Sequence, residues 1–253
     1  STFAGFDLAE TPVAMGQEAV KSLGLTNLRL FQADIMDIGP ELGEFDYIIA
    51  HGFLSWIPEF VRKRWWEIVA AHLAPNGLAY ASYNAYPAGH LRNAIRDMMN
   101  FHLARQRTPV AERAREGREF LGKLAEGAKG DPVWKSILAF ESERMRKRHL
   151  GVIHHDEAGA IYCPFHFSEI VGEAEQAGLQ YVAESSVRRT FTPLGPEVTE
   201  TLNSLGDLDL ISREQYLDFL EFRSFRETIF CRREVTLFRD DRTGAISKLW
   251  VAS

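Results

Sequence analysis

Short apolar runs alternate with helix-period segments through the N-terminal third of this chain, and that pattern constrains its fold more than any other feature. Such alternation builds a parallel sheet whose strands are joined by helices. Thr2–Phe6 reads as a strand ending at Asp7, and Thr11–Leu23 as a helix closed by Gly24. Leu28–Ala33 is a second strand ending at Asp34. Phe45–Ala50 is a third, with Tyr47–Ala50 expected to be a buried run, ending at His51. Glu59–Leu73 carries Val61, Trp65, Ile68, Val69 and Leu73 at helical spacing. Pro75-Asn76-Gly77 then predicts a turn into a fourth strand, Leu78–Ser82.

From His90 to about Leu150 the pattern is helical, with Leu91, Ile95, Met98 and His102 marking one face. Thr108-Pro109 and Asp131-Pro132 each place a capping residue before a proline, the start signal of a helix. A block this long exceeds a simple crossover and reads as an insertion. Beyond it, Phe167–Ala177 predicts a helix and Leu179–Ala183 a strand. Glu197–Leu205 and Arg213–Arg223 predict helices. Phe225–Arg232 predicts a strand with Ile229 and Cys231 on one face, and a hairpin is expected around Asp240–Gly244. The resulting division is a Rossmann-like part (1–89), a helical insertion (90–150), a mixed region (151–235) and a C-terminal extension (236–253).

Composition narrows the function classes. No run approaches the roughly 18–20 apolar residues that a membrane span needs, and no basic region leads into an apolar run at the N-terminus, so neither membrane nor secretory signal is expected. A net charge of −6 disfavours a broad nucleic-acid surface. The run Arg144–His149 reads as a solvated helix C-terminus, where cations meet the negative end of the dipole. Cys163 and Cys231 stand far apart, which suits a reducing, cytoplasmic setting and no metal cluster. His154-His155-Asp156-Glu157 is read as extended, with neighbours pointing oppositely, so no metal site is assigned there.

In open parallel sheets ligands sit beyond the carboxyl ends of the strands. Asp7, Asp34 and His51 lie at such ends. A carboxylate at Asp7 suits both hydroxyls of a ribose, and Asp34 suits the exocyclic amine of adenine, with Ile35 offering the ring an apolar face. His51-Gly52 brings flexible backbone to the next strand end. Asp also caps helices and stops strands, and the same layout would serve a nicotinamide dinucleotide, so the spacing alone names no cofactor. Trp56, Trp65 and Trp66 read as core or lid aromatics.

These stretches resemble class I S-adenosylmethionine-dependent methyltransferases. Phe3–Leu8 is similar to their second strand, NLRLFQADIMD (Asn27–Asp37) to their third strand and adenine-binding acid, FDYIIAHGFLSWIP (Phe45–Pro58) to their fourth, and HLAPNGLAYASYNAYP (His72–Pro87) to their fifth. SYNAYPAGHLRNAIRDMM, HHDEAGAIYCPFHFSEIVGEAEQAGLQYVAES and EQYLDFLEFRSFRETIFCRRE resemble bacterial methyltransferases with a methyltransferase regulatory domain, among which rickettsial protein-lysine methyltransferases are similar in organisation.

The resemblance implies S-adenosylmethionine as cofactor, with Asp7 and Leu8 at its ribose, Asp34 and Ile35 at its adenine, and His51 and Gly52 close by. It implies an α/β, Rossmann-like sheet with a helical insertion, whose antiparallel edge comes from Leu179–Ala183 and Phe225–Arg232. Tyr83 and Asn84 are the expected acceptor-positioning residues; His90, a candidate base, reads as structural. The acceptor is a protein side chain, lysine first, or a small molecule; a homodimer through the insertion is the other expected partner. A non-catalytic interaction module is the alternative from a different class. The family's first strand and glycine-rich loop have no counterpart here, so the chain is expected to be clipped, with strand edges left unpaired beside Asp7 and His51.

Overall fold

Among the described residues, six strands form where β-branched and aromatic residues cluster between turn signals. The computed structural model describes residues 1–186, 195–206 and 208–239; the expected hairpin around Asp240–Gly244 lies outside them. β1 (Phe3–Asp7) pairs in parallel with β2 (Leu28–Gln32), joined by α1 (Glu10–Ser22). The remaining strands are β3 (Phe45–Ala50), β4 (Leu73–Asn84), β5 (Leu179–Glu184) and β6 (Phe225–Arg232), in the order β3-β4-β6-β5. β3 and β4 are parallel, and β6 runs antiparallel to both β4 and β5. This is a Rossmann-like mixed sheet with a helical insertion and an antiparallel C-terminal edge. β1–β2 and the four-stranded sheet share no ladder among the described residues.

The main core lies between the four-stranded sheet and two helices, α2 (Glu59–His72) and α7 (Phe167–Gln176). Trp65, Trp66 and Val69 meet Phe167, Ile170 and Phe230 there. Glu173 fastens the two helices, accepting from the Arg62 guanidinium at 2.8 Å and from Trp66 Nε1 at 3.0 Å. The insertion has a core of its own. α3 (Ala88–Gln106), α4 (Arg113–Gly127), α5 (Pro132–Lys147) and α6 (Leu150–Asp156) bury Ile95, Met99, Leu121, Leu138, Met145 and Ile153 together. No described helix is long and apolar enough to cross a membrane.

Several local expectations are corrected. Pro75-Asn76-Gly77 does not precede β4 but interrupts it: Phe45 pairs with Leu73 and Tyr47 with Leu78, so the turn is an excursion within the strand. Asp131 caps α5 as expected, accepting from the Val133 and Trp134 amides. At Thr108-Pro109 a short 3-10 turn, Val110–Glu112, forms first, and α4 starts only at Arg113. The histidine pair His154-His155 is helical, not extended. The run Arg144–His149 is only partly solvated, because Arg144 and Arg148 turn back onto Glu141, Asp156 and Glu157.

The region after α7 supplies α8 (Pro196–Ser204), α9 (Leu210–Glu221) and β6. Alternation along β6 holds, but the fully buried side is Arg226, Thr228 and Phe230. Arg226 is buried because three acids neutralise it: Asp218 at 2.8 Å, Glu184 at 3.0 Å and Glu214 at 3.1 Å.

Candidate active site

β1 and β2 end side by side, bringing Asp7 and Asp34 to one rim. Each acid uses one oxygen to hold its own chain. Asp7 Oδ1 accepts from the Ala9 amide at 2.8 Å, and Asp34 Oδ1 from the Met36 amide at 2.9 Å. The capping role is therefore real for both, and it leaves each a second oxygen. Leu8 is exposed, whereas Ile35 is buried in the main core, where it also borders the space between β1 and β3. His51 and Gly52 end β3 in the other sheet. Gly52 has φ +62°, a left-handed turn that glycine adopts freely, and its amide donates to Ser82 Oγ at 2.7 Å. Nothing lies within 4 Å of where a Cβ at Gly52 would stand, so this strand end has open room beside it. A cavity of about 310 Å³ separates Ala4–Phe6 of β1 from Tyr47–His51 of β3.

The sequence did not single out the side chains that hold His51. Its Nδ1 lies 3.1 Å from the Tyr80 hydroxyl, which donates to Glu227 Oε1 at 3.0 Å. Tyr80, Ser82 and Asn84 share one face of β4, while Ala79, Ala81 and Tyr83 face the core. Two-residue spacing of polar groups along β4 was the available signal. Tyr83, expected to face the acceptor, is fully buried on that core side, 3.1 Å from Thr228 Oγ1, and burial pushes its hydroxyl far above the ordinary tyrosine value.

A second cavity, of about 600 Å³, opens beyond the carboxyl end of β4. Asn84, Trp56, Arg92, Glu141, Tyr162 and Phe225 are among the residues that line it. Asn84 is pinned through its backbone: its amide donates to Ser55 Oγ at 2.8 Å, and its carbonyl accepts from the Phe165 amide at 3.0 Å. Arg92 projects from α3 across the rings of Tyr162 and Trp56, with its guanidinium carbon 4.9 Å and 5.6 Å from their centroids. Its Nη2 lies 3.0 Å from both Asp156 and the fully buried Glu157, which Arg148 also reaches at 2.8 Å. Burial pushes the Tyr162 hydroxyl up to about 12, so it meets the cavity uncharged. His90 is not on the wall; it stacks on Tyr86 at the start of α3, 4.1 Å between ring centroids.

Residues 1–77 match the family model of a methyltransferase domain, and residues 151–232 that of a predicted methyltransferase regulatory domain. The Rickettsia prowazekii protein RP789 is 32% identical over 250 residues, covering 97% of this chain and 44% of that protein. The structure of PKMT2 from Rickettsia typhi superposes with a TM-score of 0.82 at 27% identity, over 95% of this chain and 45% of that one. Its complex with AdoHcy gives 0.81, over 46% of that chain. This chain thus spans less than half the length of each of these relatives. It has the class I S-adenosylmethionine-dependent methyltransferase fold, with a match to the regulatory domain, and is homologous to PKMT2 of Rickettsia typhi.

Proposed function

We propose that the chain belongs to an enzyme that transfers a methyl group from S-adenosylmethionine to the side-chain amine of a protein lysine. The observation that carries this reading is the likeness, over nearly the whole chain, to a PKMT2 structure that holds AdoHcy. The strand ends fit such a cofactor. Asp7 would accept from the ribose hydroxyls and Asp34 from the adenine amine, each through the oxygen that its own backbone leaves uncommitted. Leu8, His51 and Gly52 would flank it, with the left-handed turn at Gly52 leaving room for close approach. When bound, the cofactor supplies an activated methyl on sulfonium, so positioning of the acceptor supplies much of the catalysis.

The acceptor amine must reach the methyl group without its extra proton. The wall of the larger cavity suits that requirement. Tyr162 and Asn84 are neutral, and the carboxylates of Glu141, Asp156 and Glu157 are already paired with Arg144, Arg92 and Arg148. Among the described residues that line it, no carboxylate is without an arginine partner. Asn84 lines this wall at the strand end and is the acceptor-positioning residue; Tyr83 supports β4 from behind.

The test incubates the protein at its natural length with radiolabelled S-adenosylmethionine and a host lysate, followed by mass spectrometry of the labelled products. Label on protein lysines is the expected result. Label confined to small molecules would reassign the acceptor, and cofactor binding without any transfer would leave a non-catalytic module.

A further inference from the structure

We infer that Asn84 meets the acceptor as a hydrogen-bond donor to a carbonyl-type oxygen, and that Arg92 is the positioning residue that sets this polarity. The inference rests on reading the larger cavity as the acceptor chamber. An asparagine amide can present either its oxygen or its nitrogen, and the neighbours decide which. Here the neighbour is a guanidinium, which only donates. Arg92 Nη1 lies 3.0 Å from Asn84 Oδ1, so the oxygen must face Arg92 and the two N–H bonds of Nδ2 remain for the cavity.

Neither partner is free to turn. The Asn84 backbone is clamped by Ser55 and Phe165. Arg92 is clamped by Asp156, by the fully buried Glu157 and by the ring of Tyr162, and only 18% of its side chain is exposed. Swinging Arg92 away would strand Glu157 in the interior beside fewer cations, and burying an unpaired charge is costly. Asn84 is therefore locked as a donor.

That polarity selects the group it meets. A donor placed on the lone pair of the reactive amine would oppose attack, so Asn84 must take an oxygen elsewhere on the acceptor. In a polypeptide that oxygen is a main-chain carbonyl; in a free amino acid it is the carboxylate.

Calorimetry in the presence of S-adenosylhomocysteine, with three probes, tests this. The probes are Nα-acetyl-lysine N-methylamide, which has peptide carbonyls; lysine, which has a carboxylate; and n-butylamine, which has neither. The wild-type protein should bind an oxygen-bearing probe more tightly than n-butylamine. Asn84→Asp keeps the Arg92 contact but replaces the donor by an acceptor, and should weaken that probe by roughly five- to ten-fold relative to n-butylamine. Arg92→Lys keeps the charge beside Glu157 but loses the planar fork, and should weaken the same probe by a smaller factor. A loss confined to the acetylated amide identifies a polypeptide backbone, and one confined to lysine identifies a carboxylate.

Thermal melts and cofactor affinity of both variants show whether they are folded. Equal binding of all three probes by the wild type, or equal losses on all three, would overturn the inference. Methyl transfer by the wild type is read separately: its absence counts against the proposed function, whereas transfer with variant KM values unchanged counts against this inference alone.

Discussion

At the scale of single residues, each acid at the strand ends holds its own chain with one oxygen, and the proposed function gives the cofactor the other. Asp7 holds the Ala9 amide with one of them. Asp7→Ala should weaken S-adenosylmethionine binding by roughly 1.5–3 kcal/mol, the range for a hydrogen bond to a charged group. Calorimetry checks it, and unchanged affinity would refute the assignment. Asp156 carries a second prediction. Burial pushes its carboxyl up, but hydrogen bonds from His155 and Arg148 and the charge of Arg92 outweigh that and hold it below its ordinary value. A carboxyl depressed in the folded state stabilises the protein above its unfolded value, and that stability is lost as pH falls through the depressed one. Asp156→Asn should therefore flatten the acid limb of a urea-denaturation series run from neutral pH to about pH 3. An acid limb as steep as in the wild type would refute it. Strand-end acids and Asn84 were legible in the sequence because strand ends are local signals. The Arg92–Glu157 pair was not: its members stand 65 positions apart, and nothing local in either segment marks the other.

Among elements, strands and helices with a single clear period were legible to within a residue or two, β3 and β6 among them. What the pattern hid is the charge inside β6. Arg226 occupies a core position only because α9 and β5 bring Asp218 and Glu184 to it, and burial of a charge follows from partners that a one-dimensional pattern cannot display. Arg226→Met would leave Glu184 buried without a cation and Asp218 with Arg223 alone, and should cost about 3–5 kcal/mol. Adding Glu184→Gln should recover part of that loss by removing the stranded charge. Urea midpoints of the single and double variants measure both, and a midpoint unmoved by Arg226→Met would show the network to be energetically idle. The split of β4 around Pro75-Asn76-Gly77 was hidden for a related reason. A turn signal reports local bending, whereas resumption of the same ladder at Leu78 depends on β3.

For the whole molecule, the two sheets share no ladder among the described residues, and the edges of β1 and β3 face a cavity of about 310 Å³. Tyr47 and Ile49 of β3 are each 69% exposed beside it. Open edges next to exposed apolar side chains template further pairing. Sedimentation velocity on this 253-residue chain should show concentration-dependent self-association. A monomer at every concentration would refute it. The antiparallel strand on the opposite side has a different consequence. β6 inserts between β4 and β5, and the Tyr80–Glu227 bond joins residues 147 positions apart. Closure of so long a loop must precede any reward from the contact. During synthesis, β4 therefore leaves the ribosome well before its antiparallel neighbour exists. Until that strand arrives the nascent sheet stays open on this flank, and a cell making the protein must shelter it for that interval.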